Sequence, residues 1–257
     1  MMGMGFGLSG WAILTIGAAV AGWIDAVIGG GGLVLIPLIM AVAPQLAPAA
    51  ALATNKVAAV SGTASAAVTL VRKVRPPKGE LIRMGLTALV CSSLGATAVA
   101  LIDKDIMRPV IIVLMVAVGT FVAFRPSFGS GEGVRGGWRT WAGLAAVAAI
   151  AFYDGVFGPG TGMFLIMAFT AIFSQNFLTS AAMAKVVNTC TNVGALIAFI
   201  LGGHVVWGLA LVLAAANILG AQLGARTVLG GGTKLIRYAL LTLVVVMSVY
   251  LAWQQWG

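Results

Sequence analysis

Charge is the scarcest property of this sequence. Charged residues make up 8% of its 257 positions, against about a quarter in soluble domains. So few charges cannot cover a water-facing surface. With 61% hydrophobic residues and a mean hydropathy of +1.08, the natural solvent is lipid. Histidine occurs once, as His204 at a loop edge, so there is no ligand cluster for a metal and little basis for a serine or metal hydrolase. Cysteine occurs twice, and Cys91 and Cys190 both lie inside apolar runs. They read as small buried residues rather than a disulfide framework. Acidic residues number six against fifteen basic, a net charge of +9. That balance does not signal nucleic acid, because the basic residues fall in short breaks between apolar runs, where topology signals belong. The first ten residues, MMGMGFGLSG, have no positive region, so no cleaved signal peptide is expected.

What the sequence has instead is ten apolar runs, at roughly 11–28, 33–43, 49–71, 81–102, 106–124, 140–157, 162–174, 178–200, 205–225 and 235–253. A full membrane span needs about 20 apolar residues. The runs at 33–43 and 162–174 are too short, and each follows a glycine-rich break, GGGG at 29–32 and GPGTG at 158–162. Each short run with its predecessor forms either a hairpin that enters and returns, or one full span plus a half span. Irregular backbone at membrane depth survives only where protein or a water-filled cavity satisfies it, so the two breaks mark a site.

The halves repeat. Asp25 and Asp154 lie 129 positions apart (154 − 25). The same shift carries Gly29 to Gly158, Gly31 to Gly160, Lys56-Val57 to Lys185-Val186, Leu94-Gly95-Ala96 to Leu223-Gly224-Ala225, and Arg108 to Arg237. A constant shift over such a length implies one duplicated unit. The expected division is a first repeat at 1–124, a polar cytoplasmic linker at 125–139 and a second repeat at 140–257. Loop charge orients them. Arg72, Lys73, Arg75, Lys78 and Arg83 follow run 49–71, while the counterpart LGGHVVWG has no Lys or Arg. In the next break Asp103, Lys104, Asp105 and Arg108 roughly cancel, while Arg226, Lys234 and Arg237 mark the second copy. Basic loops stay cytoplasmic. The expectation is an all-α integral membrane protein of two inverted-topology repeats, each a glycine-broken short-helix pair plus three transmembrane helices, with both termini extracytoplasmic. Two parallel halves with chance loop charges are the competing arrangement.

Four charged residues lie deep in the apolar runs: Asp25, Lys56, Asp154 and Lys185. An ionisable group at the bilayer centre costs about 3 kcal/mol or more, so such groups are functional by default. The bland alternative is that each aspartate neutralises a lysine and holds helices together. Depth arithmetic pairs them across the repeats, Asp25 with Lys185 and Asp154 with Lys56. Lys185, Asn188 and Asn192 share a helix face with Thr189 beside them, and Thr54, Asn55 and Lys56 are adjacent, with Thr63 two turns on. The shift maps Asn188 onto Ala59, so the halves are not chemically equal. Ser61 and Ser65 fit plain interhelical hydrogen bonding. The breaks start short helices near Leu33 and Met163, whose N-termini carry unsatisfied N–H groups and about half a positive charge. Gly31, Gly32, Gly160, Thr161 and Gly162 would let a ligand approach that backbone. Two such N-termini with two ammoniums make an anion site.

These stretches, GWIDAVIGGGGLVLIPL with ATNKVAAVSGT and FYDGVFGPGTGMFLIMAF with AKVVNTCTNVGALIAF, resemble the TauE/SafE family of sulfite and organosulfonate exporters over nearly the whole chain. The resemblance implies a bacterial or archaeal inner-membrane permease for small sulfur oxyanions such as sulfite, sulfoacetate or related sulfonates. It implies that Asn55, Lys56, Lys185, Asn188 and Asn192 stand near the substrate. No cofactor or metal is implied, and the expected partners are a small anion and the bilayer, not nucleic acid. A homodimer is compatible with the sequence and not required by it. An anion channel is the nearest competing function. A membrane-embedded aspartyl protease fits less well, because each aspartate is matched with a lysine and the GxGD arrangement is absent.

Overall fold

The computed structural model describes residues 7–99 and 137–230. Runs 106–124 and 235–253, nearly all of the 125–139 linker, the charges at Asp103, Lys104, Asp105, Arg108, Lys234 and Arg237, and both termini lie outside the described residues. The described part is helical, with no strand. In chain order it forms α1 (Leu8–Ile28), α2 (Gly32–Val42), α3 (Pro48–Val74), α4 (Lys78–Val99), α5 (Trp138–Val156), α6 (Thr161–Phe173), α7 (Phe177–Leu201) and α8 (Trp207–Leu229).

Eight of the ten expected runs are therefore helices with ends shifted by a few residues. The basic break at 72–83 contracts most. Arg72 and Lys73 belong to the last turn of α3, and α4 already starts at Lys78. Only Arg75, Pro76 and Pro77 connect the two helices. Arg75 takes a left-handed conformation with φ 52°, its N–H donating to Val71 O, and two prolines without N–H groups then stop the helix.

Five helices among the described residues are long and apolar enough to cross a membrane: α1, α3, α4 (from Lys78 to Ala98), α7 and α8. Their outer faces are apolar. Ile82, Leu86, Val90 and Leu94 follow one another every four residues on α4, all exposed, and Leu211, Leu219 and Leu223 form the matching stripe on α8. In water such stripes would be an aggregation hazard; in lipid they are the proper surface. The short helices α2 and α6 are held inside, with Leu33, Leu35, Ile36 and Ile39 of α2 and Leu165, Ile166 and Phe169 of α6 all buried.

The packing exchanges partners between the halves. The most extensive contacts are α1 on α8 and α4 on α5, then α3 on α8 and α4 on α7, with α3 and α7 packed on each other. The 129-residue shift turns each of the first two pairs into the other, and likewise the next two. The detail follows the same rule. A Cβ on Gly95 would stand 2.2 Å from Phe152 O, and one on Gly224 would stand 2.4 Å from Trp23 O; both residues of each contact differ by 129. Gln222 Nε2 donates to Ser65 O at 3.0 Å, and Ser93 Oγ donates to Gly194 O at 2.9 Å, again the same positions after the shift. Glycine at these crossings lets backbones touch, which is how helices associate where lipid offers no hydrophobic driving force.

Candidate functional site

The buried polar residues gather mainly on α3 and α7, the two helices that carry the lysines. Thr54, Asn55, Lys56 and Thr63 on α3 and Lys185, Asn188, Thr191 and Asn192 on α7 are all buried. Each lysine is met by the aspartate in the last turn of the first helix of the opposite half. Lys56 Nζ lies 2.7 Å from Asp154 Oδ2 on α5. Lys185 Nζ lies 2.9 Å from Asp25 Oδ2 on α1 and also donates to the Asp25 carbonyl. The pairs cross the halves, as the depth arithmetic from the sequence anticipates. An unpaired ammonium or carboxylate here would carry a large desolvation penalty, so each charge fixes its partner in place.

Lys56 has a second acceptor. It donates to Asn192 Oδ1 at 3.1 Å. Asn192 Nδ2 donates in turn to Asn188 O at 2.8 Å, and Thr191 Oγ1 also donates to Asn188 O. Asn192 stands seven residues beyond Lys185 on α7 (192 − 185). The amide that Lys56 holds and Lys185 are therefore rooted about 10 Å apart along α7, with Asn188 and Thr189 between them. Thr189 spends its hydroxyl on Lys185 O, within its own helix. In this layer the amides of Asn55 and Asn188 keep free donors. Asn55 is 5% exposed and Asn188 4%. Among the described residues Asn55 makes no side-chain hydrogen bond, and Asn188 Nδ2 donates to nothing. Neither is among the fully shielded unpaired side-chain groups, which among the described residues are on Glu80 and Gln175, so both donors stay within reach of a ligand.

The glycine breaks lie against each other. Gly29 ends α1 at φ 81°, with its N–H on Asp25 O at 2.7 Å. A Cβ on Gly29 would stand 2.2 Å from the carbonyl carbon of Gly162. Gly32 is close to Pro159, and Gly158 (φ 98°) is close to Lys56 Nζ and Asp154. The α2 and α6 N-termini therefore sit together at the lysine–aspartate layer. The helices begin slightly earlier than expected, at Gly32 and Thr161 rather than near Leu33 and Met163. The N-termini also differ. Gly31 N–H donates to Asp25 Oδ1 at 3.2 Å, so a carboxylate already faces α2. On α6, Gly160 is left-handed at φ 83°, Thr161 Oγ1 donates to Gly158 O, and Tyr153 OH holds the break through Pro159 O at 2.8 Å.

Two features escape sequence reading. Asn217 on α8 is buried, donates to Ala18 O on α1, and has its carboxamide against Gly62 of α3 and Gly22 of α1. Gln222 joins α8 to Ser65 of α3. Of the two serines expected to serve interhelical bonding, Ser65 does so, while Ser61 donates to Val57 O in its own helix. Thr54 Oγ1 accepts from Val206 N at 3.4 Å, so it ties down the connection into α8.

The family model described as Sulfite exporter TauE/SafE matches residues 14–251. The chain is 36% identical over 246 residues to the probable membrane transporter protein YfcA of Escherichia coli (strain K12), covering 95% of this chain and 90% of that one. It is 33% identical to a probable membrane transporter protein of Haemophilus influenzae, with 98% of each chain covered. A probable membrane transporter protein of Sinorhizobium sp., ORF9, is 32% identical over 241 residues, covering 94% and 90%. No solved structure matches the chain.

Proposed function

The chain belongs to the sulfite exporter TauE/SafE family, a multi-pass bacterial membrane transporter, and from that premise we propose that it exports small sulfur oxyanions, sulfite or organosulfonates, by alternating access. The observation that carries this reading is the buried layer between Lys56 and Lys185. It holds two ammoniums, two amides with unused donors and the α6 N-terminus, while the α2 N-terminus is already faced by Asp25, a concentration of donors at membrane depth. An oxyanion has several acceptor oxygens and no need of a donor, which suits that lining. Asn55, Lys56, Lys185, Asn188 and Asn192 line the substrate position, with Thr54 and Thr189 holding the surrounding backbone. Gly31, Gly32, Gly160, Thr161 and Gly162 allow the close approach of backbone.

Alternating access fits the exchanged packing among the described helices of the two proposed repeats, 1–124 and 140–257 joined by 125–139, as an inverted duplication would give. A channel would need a continuous open path, whereas both lysines are closed onto carboxylates. An aspartyl protease would need its two carboxylates to share a proton, and here each is held by a lysine. Flux into proteoliposomes tests the function. Sulfite and isethionate are expected to exceed chloride by at least about tenfold, because a site rich in placed donors penalises an ion without matching oxygens. Equal rates for all three would contradict the reading.

Orientation follows from loop charge. The α3–α4 connection, flanked by Arg72, Lys73, Arg75 and Lys78, is assigned to the cytoplasm and both termini to the outside. A cysteine introduced by Lys78→Cys, in a background with Cys91 and Cys190 replaced, is expected to react with an impermeant maleimide only after the cells are opened. Labelling in intact cells would reverse the assignment.

A further inference from the structure

The two lysine–aspartate pairs are related by the repeat but differ in their surroundings, and the difference concerns the proton. At the Lys185 pair both carboxylate oxygens of Asp25 are occupied. Oδ2 faces Lys185 at 2.9 Å and Oδ1 accepts from Gly31 N–H at 3.2 Å. Lys185 is fully buried and also holds the Asp25 carbonyl. This pair pins the end of α1, the start of α2 and α7 into one unit. At the Lys56 pair, Oδ2 of Asp154 faces Lys56 at 2.7 Å, while Oδ1 accepts no hydrogen bond among the described residues. No backbone N–H of the α6 break takes the place that Gly31 has at the other pair. The unpartnered Asn55 amide is next to Lys56 in sequence, and a chain begins on Lys56, passes through Asn192 to Asn188 Oδ1 at 3.3 Å and ends in the free Asn188 Nδ2.

An anion reaching Lys56 meets an ammonium that is already neutralised. Adding it would leave net negative charge on a pair whose side chains are 3% and 2% exposed, a heavy penalty in a low-dielectric layer. Protonating the carboxylate removes that penalty, because the anion then replaces one negative charge with another. The elements packed on α5 are α4, α6 and α7. The titratable or charged side chains they carry are Lys78, Glu80, Arg83 and Cys91 on α4 and Lys185 and Cys190 on α7, with none on α6. α5 itself adds Arg139 and Tyr153, and α3 adds Arg72 and Lys73 in its last turn. None of these bonds Asp154; among the described residues Lys56 of α3 alone does.

Resting on the transport reading above, we propose that Asp154 takes up one proton as the anion takes its place on Lys56, so that each monovalent anion crosses with one proton and no net charge and is exported down its own concentration gradient, while the Asp25–Lys185 pair stays closed as a latch. The carboxylate gains the proton from the side from which the anion enters and loses it when the anion leaves and Lys56 returns.

The test uses isethionate, whose sulfonate remains ionised across the pH range, so that any proton taken up comes to the protein. Purified transporter in weakly buffered detergent is titrated with isethionate while a pH dye is followed. About one proton per bound anion is expected, with affinity rising about tenfold for each pH unit of acidification while the free carboxylate is ionised. Asp154→Asn is expected to abolish both the uptake and the pH slope. Flux through the unaltered protein gives the same answer without a variant. An imposed pH gradient drives isethionate accumulation and an imposed membrane potential of either sign does not. Binding without proton uptake, a slope that survives Asp154→Asn, or accumulation driven by potential alone would overturn the proposal. Failure of isethionate, sulfite and sulfoacetate alike to bind or move would remove the transport reading and this inference with it, and is distinguished by the absence of any binding signal.

Discussion

Replacing Lys56 by alanine is expected to destabilise the protein by about 3–5 kcal/mol, the cost of leaving a buried carboxylate without its counter-charge. The Asp154 side chain is 2% exposed and Lys56 is its hydrogen-bond donor, so no water shell takes over the ammonium's place. The effect should show as a large fall in melting temperature in detergent. The double variant Lys56→Ala, Asp154→Ala removes both charges and is expected to recover most of that stability, because two small apolar groups cost far less at this depth than one orphan charge. It is expected to recover no transport. A double variant as unstable as Lys56→Ala alone would mean that the pair is not the interaction being lost. A double variant that transports at the parental rate would mean that the pair is only a brace.

The second large effect is expected at Gly29. Its φ of 81° is a conformation that L side chains rarely adopt, and a Cβ there would stand 2.2 Å from Gly162 carbonyl carbon and 2.3 Å from Met163 N. Those atoms are backbone of the other half's short helix, so they cannot rotate away. Gly29→Ala combines a left-handed penalty of about 1–2 kcal/mol with overpacking of about 1–3 kcal/mol. It should also push the α2 and α6 N-termini apart, so transport should fall more than stability. Gly79→Ala is the control. Nothing lies within 4 Å of a Cβ at Gly79, and this change in the first turn of α4 should be close to neutral. A Gly29→Ala protein with parental stability and transport would show that the two breaks do not need to touch.

The main features of the site were legible because they are expensive. Charges at membrane depth stand out in an apolar sequence, and a constant shift of 129 relates them in pairs. Their pairing across the halves follows from depth alone. Asn217 and Gln222 were not legible, because a neutral amide inside an apolar run costs too little to stand out and its purpose depends on the facing helix. Gln222 becomes intelligible only once Ser93 is seen bonding Gly194, since the shift carries that contact onto Gln222 and Ser65. The inequality of the two pairs was legible only in part. Ala59 opposite Asn188 shows that the halves differ, but the Gly31 N–H on Asp25 depends on how the chain turns between α1 and α2. That turn is set by the left-handed Gly29, whose φ no residue pattern prints.

The central claim is that a carrier binds its anion in the layer between Lys56 and Lys185. Counterflow tests it most directly. Proteoliposomes loaded with unlabelled isethionate are diluted into labelled sulfite, with no pH difference and no potential. The account predicts a transient accumulation of label above equilibrium, which only a saturable alternating site produces, and its absence in the Lys56→Ala, Asp154→Ala variant once that protein is shown to be folded. Label that enters without overshoot, or an overshoot of parental size in that variant, would contradict it.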